Sequence, residues 1–400
     1  MVRQGYANFY KRVNALAPPP SLRSDVGAAR SRMTWPFDPP RPSRRGPHHA
    51  CLPPPHGTEL FAMPTAPVPV RHLDDASVRW LRRSAEQILN ACGTSAASPR
   101  LFDNLARAAG ESSGRLRHHC RPIDTADGLF VLRGLRVDAD DLGATPTGWA
   151  TAGDNGAVHD IMLLLLASVM GHPIAWEGQQ EGRFVHNIVP SPGHETEQTG
   201  ASSTVLLSPH TEDAFHPGRA HLLMLGCMRN HDRIATTAAS VRKTHLAEQD
   251  VQALTRATVP ILPDDAYTQA QGYARQPSPA VPTLFAAEDG LTLRFDPAYT
   301  PLRDADVPYQ HAYRRLHAEL ARVSVAVILE PGETLVVDND LAVHGRVPFQ
   351  PRYDGTDRWL KRASIRVPGR RTRPPSEAGE HGYGQAVLTA RPGRARTPKL

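Results

Sequence analysis

Short apolar runs separated by turn residues fill the middle of the chain and constrain its fold most strongly. They are five to nine residues long and rich in aliphatic and aromatic residues, which is typical of β-strands. The runs are Ser203–Leu207, Ala220–Met228, Thr283–Ala287, Leu291–Phe295, Glu333–Val337 and Trp359–Val367, and Asp289-Gly290 predicts a hairpin turn between two of them. Because no regular βαβ alternation connects them, they predict a mainly β fold, an antiparallel sandwich or jelly roll (double-stranded β-helix) flanked by helices.

Three helices are predicted around these strands. Apolar residues recur every three or four positions from Asp74 to Cys92, with an aspartate at the start and Gly93 beyond the end. A second helix lies around the apolar run 161–170, which is about half of the ~20 residues that span a bilayer and therefore predicts a buried helix. A third is predicted from about Pro308 to Val323.

Positive charge is concentrated at the two ends of the chain. The formal net charge is +6, but residues 1–50 carry +7 and residues 367–400 carry +5, so that the central part carries −6. A mildly acidic body argues against a nucleic-acid-binding groove, although the sequence pI is about 9.3. No nucleic-acid partner is therefore expected.

Proline and low complexity define the predicted domain boundaries. The first 70 residues hold 14 of the 38 prolines and show no sustained apolar periodicity. We predict a disordered Pro/Arg-rich tail at 1–70, a folded domain at 72–366 and a disordered basic tail at 367–400. An alternative is that the native protein begins at Met63, just before ordinary patterning starts.

The cysteines and the N-terminus indicate a reducing compartment. The four cysteines form no CxxC pair, and the first residues contain no continuous apolar segment of the secretory type. These features predict a cytoplasmic protein without membrane contact.

One histidine and one acidic residue are spaced as metal ligands on an extended segment. Side chains at positions i and i+2 project from the same face of a strand, so His210 and Glu212 can approach one ion together. Three His-x-Asp/Glu pairs occur, namely His72/Asp74, His210/Glu212 and His317/Glu319. Only the middle pair follows a strand-like run. A facial metal site requires two imidazoles and one carboxylate, and His344 is the best candidate for the third ligand.

The sequence around these residues resembles a known enzyme family. The segments Pro209–Pro217, Asp338–Arg346 and Phe349–Arg362 are similar to the clavaminate-synthase-like (TauD-related) Fe(II)/2-oxoglutarate oxygenases. The nearest branch is the amino-acid β-hydroxylases of peptide-antibiotic pathways, and the similarity extends over about residues 72–366. It implies hydroxylation of an unactivated C–H bond of a free or carrier-bound amino acid, with Fe(II), 2-oxoglutarate and O₂.

The resemblance also implies roles for individual residues. His210, Glu212 and His344 would be the iron ligands. Arg358 would bind the distal carboxylate of 2-oxoglutarate with help from the hydroxyl of Thr237, and Gln179 and Arg362 would hold the α-amino and α-carboxylate groups of the substrate. We further expect Asp338 and Asn339 either to form a turn or to orient His344.

One departure concerns the side chain of the substrate. Relatives that act on arginine carry two acidic residues, one residue apart, where a strand with the pattern Leu-Arg-x-Asp ends. This chain has the pattern as Leu293-Arg294-Phe295-Asp296, so Asp296 keeps the first acidic position, but Ala298 occupies the second. A basic substrate side chain would then contact Asp296 alone, or Asp296 together with Asp304 or Asp306.

Two other functions use the same features. A zinc hydrolase could employ the same three ligands with a metal-bound water as nucleophile. A nonenzymatic jelly-roll binding protein would use its basic tails to contact nucleic acid.

Overall fold

Strands make up the framework of the part of the chain that the structure describes. The structure is a computed structural model that describes residues 68–93, 99–138, 142–264, 279–379 and 387–389. The strands within these residues are β1 (Val70–His72), β2 (Leu129–Arg133), β3 (His172–Trp176), β4 (Val185–Ile188), β5 (Leu207–His210), β6 (Leu222–Arg229), β7 (Thr236–Ser240), β8 (Leu284–Ala287), β9 (Gly290–Leu293), β10 (Val325–Val327), β11 (Thr334–Asp338), β12 (Ala342–Arg346), β13 (Trp359–Arg366) and β14 (Val387–Thr389).

Six α-helices accompany the strands in the same residues. They are α1 (Asp75–Cys92), α2 (Pro99–Gly110), α3 (Gly114–His119), α4 (Ala157–Met170), α5 (Glu248–Leu254) and α6 (Val307–Arg322). None of the helices in the described ranges is long and apolar enough to cross a bilayer.

The strands form two sheets and a hairpin. The large sheet has the order β1-β2-β11-β6-β13-β3-β14, with β4 also paired to β13, and the small sheet has the order β10-β7-β12-β5. Strand β1 pairs with β2 in parallel, and the other described strand pairs are antiparallel. The predicted mainly β, antiparallel organisation with flanking helices is therefore confirmed.

Side-chain alternation places the large sheet between a helical layer and the small sheet. In β6, Leu222 and Met224 pack with residues of α1, α2 and α4. Leu223, Leu225 and Cys227 face the other way and pack with residues of the small sheet. Helices α5 and α6 cover the outer face of the small sheet. The order of layers is thus helices, large sheet, small sheet, helices, and the interior between the two sheets is available for a site.

The three predicted helices are confirmed. A side-chain oxygen of Asp74 accepts a hydrogen bond from the backbone N–H of Ser77 at 3.0 Å and caps α1, and Gly93 ends this helix with a φ of 66°. Helix α4 is buried on nearly all sides, as its apolar run predicted. Asp306 caps α6, which begins at Val307.

The strand predictions are confirmed for all runs except the first. Ser203 lies in a loop, and the strand begins only at Leu207 and continues to His210. The reason is Arg346, whose guanidinium donates hydrogen bonds to the backbone carbonyls of Ser202, Ser203 and Val205 and so withdraws them from sheet pairing. The hairpin is present as predicted, but its turn residues are Glu288 and Asp289, because Ala287 pairs with Gly290.

The C-terminal tail prediction is wrong for residues 367–379 and 387–389. We call residues 367–379 the C-terminal strap. Arg371 of the strap donates hydrogen bonds to both carboxylate oxygens of Asp338 at 2.9 Å, and Arg370 also binds Asp338. Arg219, which is fully buried, binds Glu377 of the strap through two hydrogen bonds of 3.0 Å. The basic composition indicated a solvated segment, but buried carboxylates elsewhere in the chain require these cations.

Other parts of the predicted tails are outside the described residues. These are residues 1–67, 380–386 and 390–400. Strand β1 starts at Val70, slightly before the predicted start of the domain at residue 72.

Candidate active site and metal centre

The predicted metal ligands lie together between the two sheets. His210 ends β5 and pairs directly with His344 of β12, and their ring centroids are 4.4 Å apart. Glu212 follows β5 in a turn, with its Oε2 3.2 Å from Nε2 of His344 and 3.7 Å from Nε2 of His210. One ligand atom from each residue lies within 4.8 Å of the others. The described residues contain no other such group of histidine, cysteine and carboxylate side chains.

Hydrogen bonds fix the orientation of two of these ligands. Nδ1 of His210 donates to the backbone carbonyl of Ser208 at 2.8 Å, which directs Nε2 towards Glu212. Asn339 accepts from the backbone N–H of Glu212 at 2.8 Å and donates to its carbonyl at 3.0 Å and to that of Ala220 at 3.1 Å. Asn339 therefore orients Glu212.

Asn339 lies in a turn, as one alternative expected, but the expectation that Asp338 and Asn339 orient His344 is wrong. Asp338 binds the arginines of the C-terminal strap, and Nδ1 of His344 is buried without a hydrogen-bond partner among the described residues. Asp338 ends β11, and Asn339 follows it in the turn before β12. This turn lies next to the segment that carries Glu212.

The charges of the three ligands favour a bound cation. Burial raises the pKa of Glu212, but Arg362 and the two imidazoles outweigh it and hold this pKa well below its usual range. Burial together with the charge of His210 lowers the pKa of His344 to about 4, so its imidazole is neutral. Burial also opposes protonation of His210, yet Glu212 raises the pKa of His210 to about 9. A metal ion can replace this proton.

These residues fit a divalent iron site. Oε2 of Glu212 is buried and makes no hydrogen bond to any described residue, although two imidazoles lie beside it. Two imidazoles and one carboxylate form the facial set that binds non-haem Fe(II) and leaves other coordination positions open. His210, Glu212 and His344 would hold the ion.

A cavity of about 430 Å³ opens from the metal ligands and contains most of the predicted binding residues. Its size is sufficient for two small molecules of the size of an amino acid and a dicarboxylate. The predicted residues that line it are Gln179, His210, Glu212, Asp296, His344, Arg358 and Arg362.

Arg358 is placed as a carboxylate anchor, but its hydroxyl partner is Thr236. Nη2 of Arg358 donates to Oγ1 of Thr236 at 2.7 Å, and its buried Nε has no hydrogen-bond partner among the described residues. Burial lowers the pKa of Arg358 to about 10, so the guanidinium still carries its charge at neutral pH. The prediction of Thr237 is wrong by one position. Thr237 lies on the same face of β7 as Ala239, which packs against α5 and α6 outside the cavity.

Gln179 and Arg362 lie where groups of a substrate could reach them. Nε2 of Gln179 donates to Oδ1 of Asp213 at 3.4 Å, and its Oε1 is buried with no partner in the described chain. Arg362 contacts Oε1 of Glu212 through Nη1 and donates from Nη2 to Nδ1 of His186 at 2.9 Å. Both side chains therefore reach the cavity beside the metal ligands.

Three aspartates form an acidic wall of the cavity, and two of them were missed by sequence reasoning. They are Asp213, Asp264 and Asp296. Burial and the charge of Glu212 raise the pKa of Asp213 to about 7, and burial raises that of Asp296 to about 6. Asp264 adds to both shifts, so its carboxylate lies near the other two. Asp213 directly follows a metal ligand, but no local pattern distinguishes Asp264.

The other predicted acidic candidates are not in this wall. Asp306 caps α6 and binds Arg256 through hydrogen bonds of 2.7 and 3.0 Å. Asp304 is exposed and does not line the cavity. The expectation that either of them supplements Asp296 is wrong, since Asp306 is paired with Arg256 and neither residue lines the cavity.

Comparison with known proteins identifies the family. Residues 125–364 match the model of the family "Taurine catabolism dioxygenase TauD, TfdA family". The chain belongs to this family. The match covers β2 to most of β13 and so includes all three metal ligands.

Curated relatives are amino-acid oxygenases. The chain is 35% identical over 274 residues to the enduracididine beta-hydroxylase of Streptomyces hygroscopicus, which covers 63% of this chain and 80% of that protein. It is 36% identical over 269 residues to the L-asparagine oxygenase of Streptomyces coelicolor, which covers 66% of this chain and 78% of that protein. The predicted family resemblance is confirmed.

Solved structures show the same similarity. The non-haem iron oxygenase OrfP, in complex with Fe, succinate and (3S)-hydroxy-L-Arg, matches with a TM-score of 0.67 and 32% identity, covering 74% of this chain and 94% of OrfP. An asparagine oxygenase with Fe(II), succinate and hydroxyasparagine matches with a TM-score of 0.68 and 30% identity, covering 74% and 93%. The predicted class, an Fe(II)/2-oxoglutarate-dependent oxygenase, is therefore confirmed, and the zinc hydrolase and the nonenzymatic binding protein are not supported.

Proposed function

We propose that the chain hydroxylates the Cβ atom of a free amino acid whose side chain carries a positive charge, as a step of secondary metabolism. The observation that carries this proposal is the acidic wall, which shares one cavity with the metal ligands and with Arg362. Relatives of the chain include an L-ornithine/L-arginine 3-hydroxylase and L-lysine hydroxylases. A cationic side chain would offset the charges of three aspartates that lie close together in the cavity.

The predicted binding residues in the cavity each have a part in this reaction. Arg358 binds the distal carboxylate of 2-oxoglutarate, because a guanidinium presents paired donors to a carboxylate. Gln179 holds the α-amino group and Arg362 the α-carboxylate of the substrate, so the amino acid is fixed at its α-carbon end, and the acidic wall fixes the other end. When bound, Fe(II) together with 2-oxoglutarate and O₂ supplies the oxidant for an unactivated C–H bond, with succinate and CO₂ as coproducts.

Fixing both ends of the substrate determines which carbon is presented to the metal ligands. Arg362 contacts the metal ligand Glu212 directly, so an α-carboxylate bound to Arg362 lies close to the metal. The first side-chain carbon beyond the α-carbon is Cβ, so Cβ is the carbon presented to the metal. Positioning of this kind is the main contribution of the protein to a cofactor reaction.

We also infer that the two sheets form the double-stranded β-helix, or jelly roll, of the predicted fold. The sheets pack face to face through residues such as Leu225 and Ala238, and the metal ligands lie on the small sheet and the turn that follows β5. The solved relatives that share the arrangement are Fe-containing oxygenases.

The decisive experiment is a substrate panel. The protein is incubated with Fe(II), 2-oxoglutarate and each of the twenty amino acids, ornithine and enduracididine, and succinate formation and the mass of the amino acid are measured. We expect succinate formation coupled to a gain of one oxygen atom for basic amino acids. Coupled turnover of acidic or neutral amino acids alone would contradict the proposal. A carrier-bound substrate would be indicated if only an amino acid attached to a carrier protein is converted.

The role of the acidic wall in binding the substrate side chain leads to a separate prediction. Asp264→Asn and Asp296→Asn should each raise KM for a basic amino acid by ~10- to 100-fold, because hydrogen bonds between charged groups contribute about 1.5–3 kcal/mol. KM for 2-oxoglutarate should not change. Asn at position 296 keeps the acceptor that the backbone N–H groups of Ala298 and Tyr299 use. The control is Asp304→Asn at an exposed position outside the cavity; an equal effect there would disprove the assignment.

A further inference from the structure

His186 lies directly beside Arg362 in the cavity and has no assigned role. His186 of β4 and Arg362 of β13 are directly opposed in the antiparallel pair, so both side chains project towards the small sheet. Nη2 of Arg362 donates to Nδ1 of His186 at 2.9 Å. The imidazole is 6% exposed and lines the cavity.

The imidazole acts as a neutral acceptor. Burial, reinforced by the charge of Arg362, lowers the pKa of His186 to about 3, so Nδ1 keeps its lone pair at neutral pH. A hydrogen bond to the backbone of Arg183 also holds the ring. The ring orientation is therefore determined by two contacts and does not depend on pH near neutrality.

Because His186 is an acceptor, the two terminal nitrogens of Arg362 bind two different residues. Its Nη1 contacts Oε1 of Glu212, and its Nη2 is taken by His186. A guanidinium that is free to turn prefers to bind both oxygens of one carboxylate in parallel. Such a bidentate pair with Glu212 would occupy Oε2, the atom that faces the two imidazoles.

We propose that His186 is a positioning residue that holds Arg362 in a single-oxygen contact with Glu212, which leaves Oε2 of Glu212 for the metal. The same contact fixes the remaining N–H donors of Arg362 for a carboxylate in the cavity. The second part rests on the proposed function, whereas the first part concerns metal binding alone.

The test compares two substitutions at this position. His186→Phe keeps an aromatic ring but removes the acceptor, and His186→Asn replaces it with a shorter acceptor. Fe(II) affinity is measured anaerobically without any substrate, and KM is measured for the amino acid and for 2-oxoglutarate. We expect His186→Phe to weaken Fe(II) binding by ~10-fold or more, the usual scale for groups that orient metal ligands, and to raise KM for the amino acid. KM for 2-oxoglutarate should be unchanged, and His186→Asn should recover part of the loss.

His159→Phe provides the matched control. His159 is equally buried at 5% exposure, but it lies in α4 and bonds to the backbone carbonyl of Arg136 outside the cavity. Unchanged Fe(II) affinity in His186→Phe would overturn the proposal, as would equal losses in the folded Phe and Asn variants. If His186→Phe does not fold, His186→Leu serves in its place. Failure of the substrate panel would leave the Fe(II) measurement intact, so the two proposals can fail separately.

Discussion

His210→Ala is expected to abolish coupled turnover and to weaken Fe(II) binding by at least ~100-fold. Loss of a group that merely orients a metal ligand typically costs 10- to 100-fold in affinity, and this substitution removes a ligand itself. The imidazole lies 3.7 Å from the carboxylate of Glu212 and on the strand paired with His344, so no other described histidine can replace it. Anaerobic titration with Fe(II) and succinate formation measure the two effects.

His194→Ala is the matched control for this substitution. His194 also lines the cavity, but its side chain is 44% exposed and pairs with Glu197 at 2.9 Å, away from the metal ligands. Fe(II) affinity should be unchanged in this variant. Normal turnover by His210→Ala would exclude the assigned metal centre.

Arg358→Gln distinguishes metal binding from cosubstrate binding in the same experiment. This variant should bind Fe(II) normally, because Arg358 contacts Thr236 and none of the three ligands. It should raise KM for 2-oxoglutarate by ~100-fold, since loss of one partner of a buried ion pair is strongly unfavourable.

Features with a local signal could be predicted from the sequence. The spacing of His210 and Glu212 identifies two ligands that one segment brings together, and the capping residue Asp74 and the terminal Gly93 identify the ends of α1. Motif similarity then supplied His344, which is far away in the chain but directly paired with His210. These inferences required only neighbouring residues or a recognisable motif.

Strand register and long-range charge contacts could not be predicted in this way. Strand β7 has the sequence Thr-Thr-Ala-Ala-Ser, which shows no polar and apolar alternation, so nothing local indicates that Thr236 faces the cavity and Thr237 does not. Asp264 joins the acidic wall only through the tertiary fold. The strap arginines likewise resemble a solvated basic segment in the sequence, because the aspartates that they bind, Asp289, Asp338 and Asp340, lie about thirty residues or more away.

The C-terminal strap is connected to the metal centre through one turn. Asp338 and Asp340 flank Asn339, the residue that binds both backbone groups of Glu212. Arg370 and Arg371 neutralise Asp338, and Arg373 lies 3.5 Å from Asp340 and also binds the backbone carbonyl of Arg219. The strap therefore holds both sides of the turn that orients a metal ligand.

A chain that ends at Arg366 is accordingly expected to lose stability and Fe(II) affinity together. Removal of one partner from a buried ion pair costs about 3–5 kcal/mol, and this truncation removes all the strap arginines from Asp338 and Asp340, which are 0% and 1% exposed. The free energy of unfolding should fall by at least this amount, and Fe(II) binding should weaken because the turn that carries Asn339 loses its support. Chemical denaturation and anaerobic Fe(II) titration measure the two effects.

A chain that ends at Thr389 is the control for the truncation, since it retains the strap and β14. It should unfold and bind Fe(II) like the full chain. Arg371→Gln in the full chain provides a smaller perturbation, which removes two hydrogen bonds of 2.9 Å to Asp338 and those to Asp289. If the chain that ends at Arg366 fails to fold, this variant still shows whether stability and Fe(II) affinity fall together. Unchanged Fe(II) affinity in a destabilised Arg371→Gln protein would mean that the strap supports the fold without influencing the metal centre.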